Sequence, residues 1–146
     1  MFRGQYEHTL DPKGRVSIPS KFREVLSAND DSRLVITPFE NHLMAYPFDE
    51  WRVFEDKLLS LSLVKDEEAA FVRYLVSSAV DCEVDKQGRV LIPPILREYA
   101  GLSTEIVLAG VLKKFEIWDK GRWIEEGKKT LQNFGSIKGA LAGLGL

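Results

Sequence analysis

The sequence is poor in the residues that build metal and redox sites. It contains one cysteine, Cys82, and two histidines among its 146 residues. A lone thiol cannot close a disulfide within the chain, and one cysteine with two histidines falls short of the four-ligand set of a structural zinc site. We therefore expect no metal and no cofactor. Cys82 lies between Val80 and Val84 in a strand-like alternation, which indicates a buried structural thiol.

Long apolar segments and enzyme motifs are also missing. No stretch approaches the ~18–20 consecutive apolar residues of a membrane span. The first ten residues, MFRGQYEHTL, lack the apolar core of a signal peptide, so we expect a cytoplasmic protein. Neither a glycine-rich phosphate loop nor a nucleophile elbow is present. The sequence therefore gives no support for an enzyme.

Acidic residues are concentrated in the middle of the chain, although the formal net charge is only −2. Residues 1–26 carry five Lys/Arg against three Asp/Glu, and residues 27–84 carry five against twelve. Residues 113–146 return to seven against four. Because salt screens exposed charges beyond roughly 8–10 Å, one face can be basic while another is acidic. The net charge therefore does not exclude binding to nucleic acid.

A duplicated motif is the most informative feature that is present. Residues 11–19 read DPKGRVSIP and residues 85–93 read DKQGRVLIP, and eight of sixteen positions are identical between 11–26 and 85–100. The duplication continues, since residues 33–51 align with 105–123. An internal repeat decides the architecture before any other signal. It predicts two pseudo-symmetric halves, each of the form β-β-α-β-β, that share one core because about 65 residues alone would be marginal.

The repeat also defines the expected domain boundaries. A first half with its following helix spans 1–65, and a second half with its following helix spans 79–132. A helical connector over 66–78 joins them, because apolar residues share one helical face there and acidic residues occupy the first turn. The last segment, 133–146, has four glycines and one charge, and we expect a flexible tail.

Each repeated motif predicts a tight turn that presents an arginine. Asp11 and Asp85 can accept backbone N–H bonds within the turn, and Gly14 and Gly88 permit a positive φ. Arg15 and Arg89 then emerge at the start of the returning strand. An ion pair between each Asp and its Arg would explain the spacing without any ligand. A turn alone, however, does not need the same Arg twice, nor the nearby Lys13 and Lys86.

The helix after each turn repeats an Arg-Glu pair, Arg23-Glu24 and Arg97-Glu98. We interpret these side chains as solvated or as ion pairs between the halves.

The opening MFRG, the paired motifs and the segment KFEIWDKGRW closely resemble the MraZ family of bacterial transcription regulators, over nearly the whole chain. The resemblance implies a mainly β fold with helices, a tandem AbrB/MazE-like double-split (swapped-hairpin) β-barrel in which one chain supplies both halves. It also implies a sequence-specific DNA-binding regulator, which we take to be a repressor, of the bacterial division and cell-wall gene cluster. Its partners would be double-stranded DNA and other copies of itself, in a ring on direct-repeat promoter boxes.

The same resemblance assigns roles to the residues of the motif. Arg15 would read base edges, with Lys13 and Arg3 on phosphates or adjacent bases. Arg89 and Lys86 would act similarly on the second face. Asp11, Gly14, Asp85 and Gly88 would shape the turns. The alternative is an antitoxin-like module whose tail binds a protein partner, for which deletion of the tail and not Arg15→Ala would abolish activity.

Overall fold

The computed structural model describes residues 1–61 and 63–145, and its elements follow the order of the repeat. The first half contains β1 (Gln5–Thr9), β2 (Arg15–Ser17), α1 (Ser20–Ser27), β3 (Arg33–Phe39), β4 (His42–Pro47) and α2 (Phe48–Leu58). Helix α3 (Asp66–Ser77) follows. The second half contains β5 (Val80–Glu83), β6 (Arg89–Leu91), α4 (Pro94–Ala100), β7 (Glu105–Val111), β8 (Lys114–Asp119) and α5 (Lys120–Gln132). Helix α6 (Phe134–Ala140) and a short 3₁₀ turn (Ala142–Leu144) end the described chain.

Prolines set the boundaries that matter for the motif. Pro19 and Pro93 follow β2 and β6 and occupy the N-cap positions of α1 and α4, with φ of −52° and −57°. Since proline has no N–H to donate to a strand ladder and its φ suits a helix start, each strand ends after three residues and a helix begins at once. The two halves therefore place a short strand and a short helix in equivalent positions.

The strands form two antiparallel sheets, and the halves interleave in both. The larger sheet has the order β1-β7-β8-β4-β3-β5, and the smaller pairs β2 with β6. Strand β1 of the first half thus pairs with β7 of the second, and β5 of the second pairs with β3 of the first. Neither half pairs all of its strands internally. The described chain is a mixed α/β protein with antiparallel sheets and six α-helices.

The closed barrel implied by the resemblance does not form within residues 1–61 and 63–145. Strands β2 and β6 pair only with each other. The backbone bond from Asp11 N to the Arg15 carbonyl (2.9 Å) and that from Asp85 N to the Arg89 carbonyl (2.8 Å) close the two turns. Three-residue strands cut short by Pro19 and Pro93 are too short to bridge both edges of the larger sheet. The result is a two-stranded ribbon over an open six-stranded sheet.

Both faces of the larger sheet are covered. The main core contains apolar residues from both halves, including the pairs Val16/Val90 and Ile18/Ile92, all at most 1% exposed. Phe22 packs on Phe115 in this core with 5.0 Å between ring centroids. The opposite face carries a second cluster, formed by Val35, Met44, Tyr46, Trp51 and Leu75. Within the described ranges, no helix combines the length and hydropathy needed to cross a lipid bilayer.

Candidate nucleic-acid interface

The first turn is closed by a dense set of bonds to Asp11. Its carbonyl accepts the N–H of Gly14 at 2.9 Å, and its Oδ1 accepts the backbone N–H groups of Lys13 (2.9 Å) and Arg15 (2.8 Å). Its Oδ2 accepts the Nε–H of Arg15 at 2.8 Å. Gly14 has a φ of +88°, a conformation that residues with a Cβ rarely adopt. Asp11 therefore fixes both the backbone of the turn and the direction of the Arg15 side chain.

The second turn repeats this arrangement with one looser contact. The carbonyl of Asp85 accepts from Gly88 N at 3.0 Å, and Oδ1 accepts from Gln87 N (2.9 Å) and Arg89 N (3.0 Å). Gly88 has a φ of +77°. Arg89 Nε lies 3.4 Å from Asp85 Oδ2 and forms no hydrogen bond with any described residue. The second arginine is therefore held less tightly than the first.

Both turn aspartates stay ionised at neutral pH. The backbone N–H of Arg15 lowers the pKa of Asp11, and the backbone N–H of Arg89 lowers the pKa of Asp85; the other turn amides and the arginine charges add to both effects. An ionised carboxylate is an acceptor only, so each Asp serves the turn and its own arginine. Their negative charge makes them unsuited to direct contact with a polyanion.

Arg15 and Arg89 lie on the same outward face of the β2–β6 ribbon. Arg15 pairs with Leu91 and Arg89 pairs with Ser17, while Val16 and Val90 pair at the centre and point into the core. Since side chains alternate along a strand, positions 15, 17, 89 and 91 share the solvent side. The two arginines are diagonal neighbours, a relation that places such residues roughly 7–8 Å apart.

Both arginines are partly exposed despite their contacts with aspartate. The side chain of Arg15 is 31% exposed and that of Arg89 is 29% exposed. The bond of Arg15 to Asp11 uses Nε, and no bond to a described residue occupies its two terminal nitrogens. The internal ion pair expected from the spacing therefore exists, yet it leaves the outer edge of the guanidinium available to a ligand.

The lysines of the motif are beside this face, whereas Arg3 is not. Lys13 and Lys86 are exposed in the two turns. Arg3 is exposed at the opposite end of β1, next to Gly110 of β7. Eight residue-to-residue steps lead from Arg3 to Asp11, a span of about 26 Å at strand geometry. The structure thus brings together four of the five predicted cations and places the fifth elsewhere.

Arg23 and Arg97 occupy positions that the sequence analysis missed. Arg23 is exposed, in keeping with the solvated alternative, and no ion pair between the halves joins Arg23 or Arg97 to a described residue. Instead, a Cβ added at Gly88 would lie 2.9 Å from the guanidinium of Arg23, and one added at Gly14 would lie 2.7 Å from Cζ of Arg97. Each helix arginine therefore lies against the turn of the other half. The recurrence of Arg at the same offset in both copies was the available signal.

Cys82 is buried, and its thiol is unreactive at neutral pH. Burial raises the pKa of its thiol to about 11, so it stays protonated at neutral pH. The part of the chain that the structure covers holds no group of three or more His, Cys, Asp or Glu side chains able to share a metal ion. The exposed ribbon face and its two turns thus offer hydrogen-bond donors and positive charge.

Comparison with known proteins identifies the family of this chain. A family profile described as "MraZ protein, putative antitoxin-like" matches twice, at residues 1–74 and 75–138. The Syntrophobacter fumaroxidans protein named Transcriptional regulator MraZ is 50% identical over 99% of this chain and 97% of its own length. Proteins of the same name from Pediococcus pentosaceus and Caldanaerobacter subterraneus are each 47% identical, over 100% and 94% of both chains. With both halves matched and similarity along its whole length, this chain belongs to the MraZ family, of which it carries two tandem domains.

Proposed function

We propose that this chain is a sequence-specific DNA-binding transcriptional regulator, and that it contacts DNA through the outward face of the β2–β6 ribbon. Its relatives bear the name of transcriptional regulators and not of enzymes. The observation that carries the proposal is the pair Arg15 and Arg89 on one exposed ribbon face. The major groove of B-DNA admits a two-stranded β-ribbon, and arginine bonds the O6 and N7 of guanine with two donors.

The proposed roles follow from what each side chain presents. Arg15 and Arg89 offer partly exposed guanidinium groups for base edges, and Arg15 leads because its bond to Asp11 fixes its direction. Lys13 and Lys86, at the turn tips, suit phosphate oxygens. Arg3 stands apart, and we assign it a phosphate contact outside the footprint of the ribbon.

Self-association supplies the affinity that one ribbon lacks. Two linked sites that match the spacing of their targets gain ~10²–10⁴ in avidity over either alone. Exposed apolar side chains, Phe71 and Val76 on α3 and Ile95 and Tyr99 on α4, support contacts between copies. We therefore propose a ring homo-oligomer that represses the division and cell-wall gene cluster at direct-repeat boxes, in the cytoplasm at the nucleoid. Within each copy, the halves 1–65 and 79–132 would be interleaved as in a swapped-hairpin fold.

A gel-shift titration with the DNA upstream of the chain's own coding region tests this function. We expect a specific complex for the wild type, its loss for Arg15→Ala, and no change for Arg52→Ala, which removes an exposed arginine on α2. The oligomer mass of all three proteins should be equal in light scattering. Wild-type protein that binds this DNA no better than unrelated DNA would refute the proposal.

A second candidate is an antitoxin-like module that binds a protein through its C-terminal end, for which we proposed the tail 133–146. Leu131 and Phe134, 75% and 50% exposed where α5 meets α6, favour it; residue 146 lies outside the described residues. The discriminating variant ends at residue 132. Loss of the regulatory activity by this truncation at unchanged oligomer mass, with Arg15→Ala still active, would favour the protein-binding module.

A further inference from the structure

We propose that Arg23 and Arg97 are positioning residues that hold the DNA-binding turns, and that each one holds the turn of the opposite half. This inference deepens the function proposed above and rests on it for the consequence at DNA. The contacts between these arginines and the turns exist in the free protein, so the positioning role can be tested without DNA.

Each helix arginine lies directly against a turn glycine. A Cβ on Gly14 would meet Cζ, Nε and Nη1 of Arg97 at 2.7 to 3.0 Å, and a Cβ on Gly88 would meet Cδ, Nη1 and Nε of Arg23 at 2.9 to 3.0 Å. The planar guanidinium therefore covers the bare Cα of each turn glycine, in the space that any other residue would fill. Glycine is thus required at these positions for two reasons: it adopts the positive φ, and it leaves room for the arginine.

The contact crosses between the halves in both directions. Arg97 on α4 belongs to the second half and covers Gly14 of the first, whereas Arg23 on α1 belongs to the first half and covers Gly88 of the second. Reciprocal backbone bonds run the same way. Ile18 N donates to the Gly88 carbonyl at 2.8 Å, and Ile92 N donates to the Gly14 carbonyl at 2.9 Å.

The two arginines differ in how they are held. Arg23 donates its Nε–H to the carbonyl of Ile18 at 3.1 Å, so one residue is bonded both to Arg23 and to the turn that Arg23 covers. Arg97 Nε is shielded from solvent and bonds no described residue. This nitrogen lies against the turn of the first half, and the contact favours a positioning role over direct contact with DNA.

The consequence for binding follows from the position of Gly14 directly before Arg15, and of Gly88 directly before Arg89. A turn that is loose in the free protein has to be ordered when it binds, and each immobilised side chain of this kind weakens binding by about 3- to 10-fold. Arg97 would thus keep the turn before Arg15 ordered in the free protein, and Arg23 would do the same for the turn before Arg89. Neither half would present its turn correctly without the other.

Hydrogen–deuterium exchange of the free, full-length protein tests the crossed assignment. The amides to follow are those of Gly14 and Arg15 in the first turn and of Gly88 and Arg89 in the second. We expect Arg97→Ala to speed exchange roughly tenfold in the first turn only, and Arg23→Ala to do so in the second turn only, since these are local openings. Lys21→Ala, which removes an exposed cation of α1 that lies near Glu24 and is not among the nearest neighbours of either turn glycine, is the matched control and should change neither. A melting curve close to that of the wild type verifies that each variant folds.

Three results would overturn the proposal. In the first, each variant loosens the turn of its own half, or neither turn. In the second, Arg97→Lys restores protection fully, because lysine keeps the charge but lacks the planar group. In the third, Arg97→Ala lowers the salt slope of DNA binding by about 0.9, the mark of a lost phosphate contact. We expect weaker binding with the slope unchanged. Should the wild type bind no DNA, the function fails, and the exchange results still decide the positioning role.

Discussion

Arg15 and Arg89 lie diagonally across the β2–β6 ribbon, because Arg15 pairs with Leu91 and Arg89 pairs with Ser17 two residues away. The 74-residue spacing of the repeat in sequence thus becomes a distance of about 7–8 Å in space. The two halves therefore each place one arginine on the same exposed face of the ribbon. In the proposed DNA contact, one polypeptide would supply the paired presentation that many DNA-binding proteins obtain from a dimer.

Loss of either ribbon arginine should weaken specific binding more than non-specific binding. A bidentate arginine–guanine contact contributes about 1–3 kcal/mol of discrimination, so we expect Arg15→Ala and Arg89→Ala each to lower affinity for the promoter roughly 5- to 150-fold. Fluorescence anisotropy with promoter and scrambled duplexes measures the specific and the non-specific affinity. Arg52→Ala is the control. An equal loss on both duplexes would show that these arginines contact phosphates instead of bases.

The turn lysines should control salt dependence. Each neutralised phosphate contributes about −0.9 to the slope of log K against log salt concentration. We expect Lys13→Ala and Lys86→Ala each to make the slope shallower by about that amount while preserving the preference for the promoter. Titrations at four salt concentrations suffice. Unchanged slopes in both variants would remove these lysines from the interface.

The order of strands and helices could be predicted from the sequence, because turn and proline preferences within each repeat determine it. The repeat, the Asp-Gly turns and the prolines predicted the strand and helix order around Pro19 and Pro93, which the structure confirms. The sharing of one ribbon face by Arg15 and Arg89 depends on the pairing register between halves, which sequence does not reveal. The same holds for Arg97 and Gly14, 83 positions apart. The prediction of a closed barrel, which came from the family resemblance, was wrong because prolines end β2 and β6 after three residues.

Replacement of glycine by alanine should have opposite effects in the turn and in helix α5. At Gly14 the positive φ costs an alanine about 1–2 kcal/mol, and its Cβ would displace Arg97. At Gly127 on α5 no atom lies within 4 Å of the added Cβ, so alanine should stabilise the helix by about 0.5–1 kcal/mol. Urea unfolding of Gly14→Ala and Gly127→Ala measures the change in the free energy of unfolding, which should fall in the first variant and rise in the second. Stabilisation by both would contradict the turn geometry.

Glu116 should make stability depend on acid pH. Burial raises the pKa of Glu116, but nearby His42, a hydrogen bond from Trp118 and the charge of Lys114 outweigh this effect and lower the pKa to about 2. A lowered folded-state pKa stabilises the fold above pH ~4.5, and this contribution is lost as pH falls towards 2. Its size is on the order of 3 kcal/mol. Glu116→Gln should therefore unfold more easily at pH 7 and approach the wild type near pH 3.

Urea midpoints at pH 7, 5 and 3 measure this difference. Glu105→Gln, at an exposed glutamate, is the control and should follow the wild type throughout. A Glu116→Gln deficit that stays constant with pH would mean that the side chain contributes packing and not charge.

A photocrosslinker placed between the two arginines tests the central claim most directly. Ser17 lies on the ribbon face beside Arg89, and the buried, protonated thiol of Cys82 leaves the new thiol of Ser17→Cys as the reactive one. After modification with a thiol-directed azide and irradiation on promoter DNA, the account predicts a crosslink from position 17. It predicts none from Ser60→Cys, at an exposed site after α2. A bound complex that crosslinks from position 60 and not from position 17 would contradict the ribbon as the DNA-binding surface.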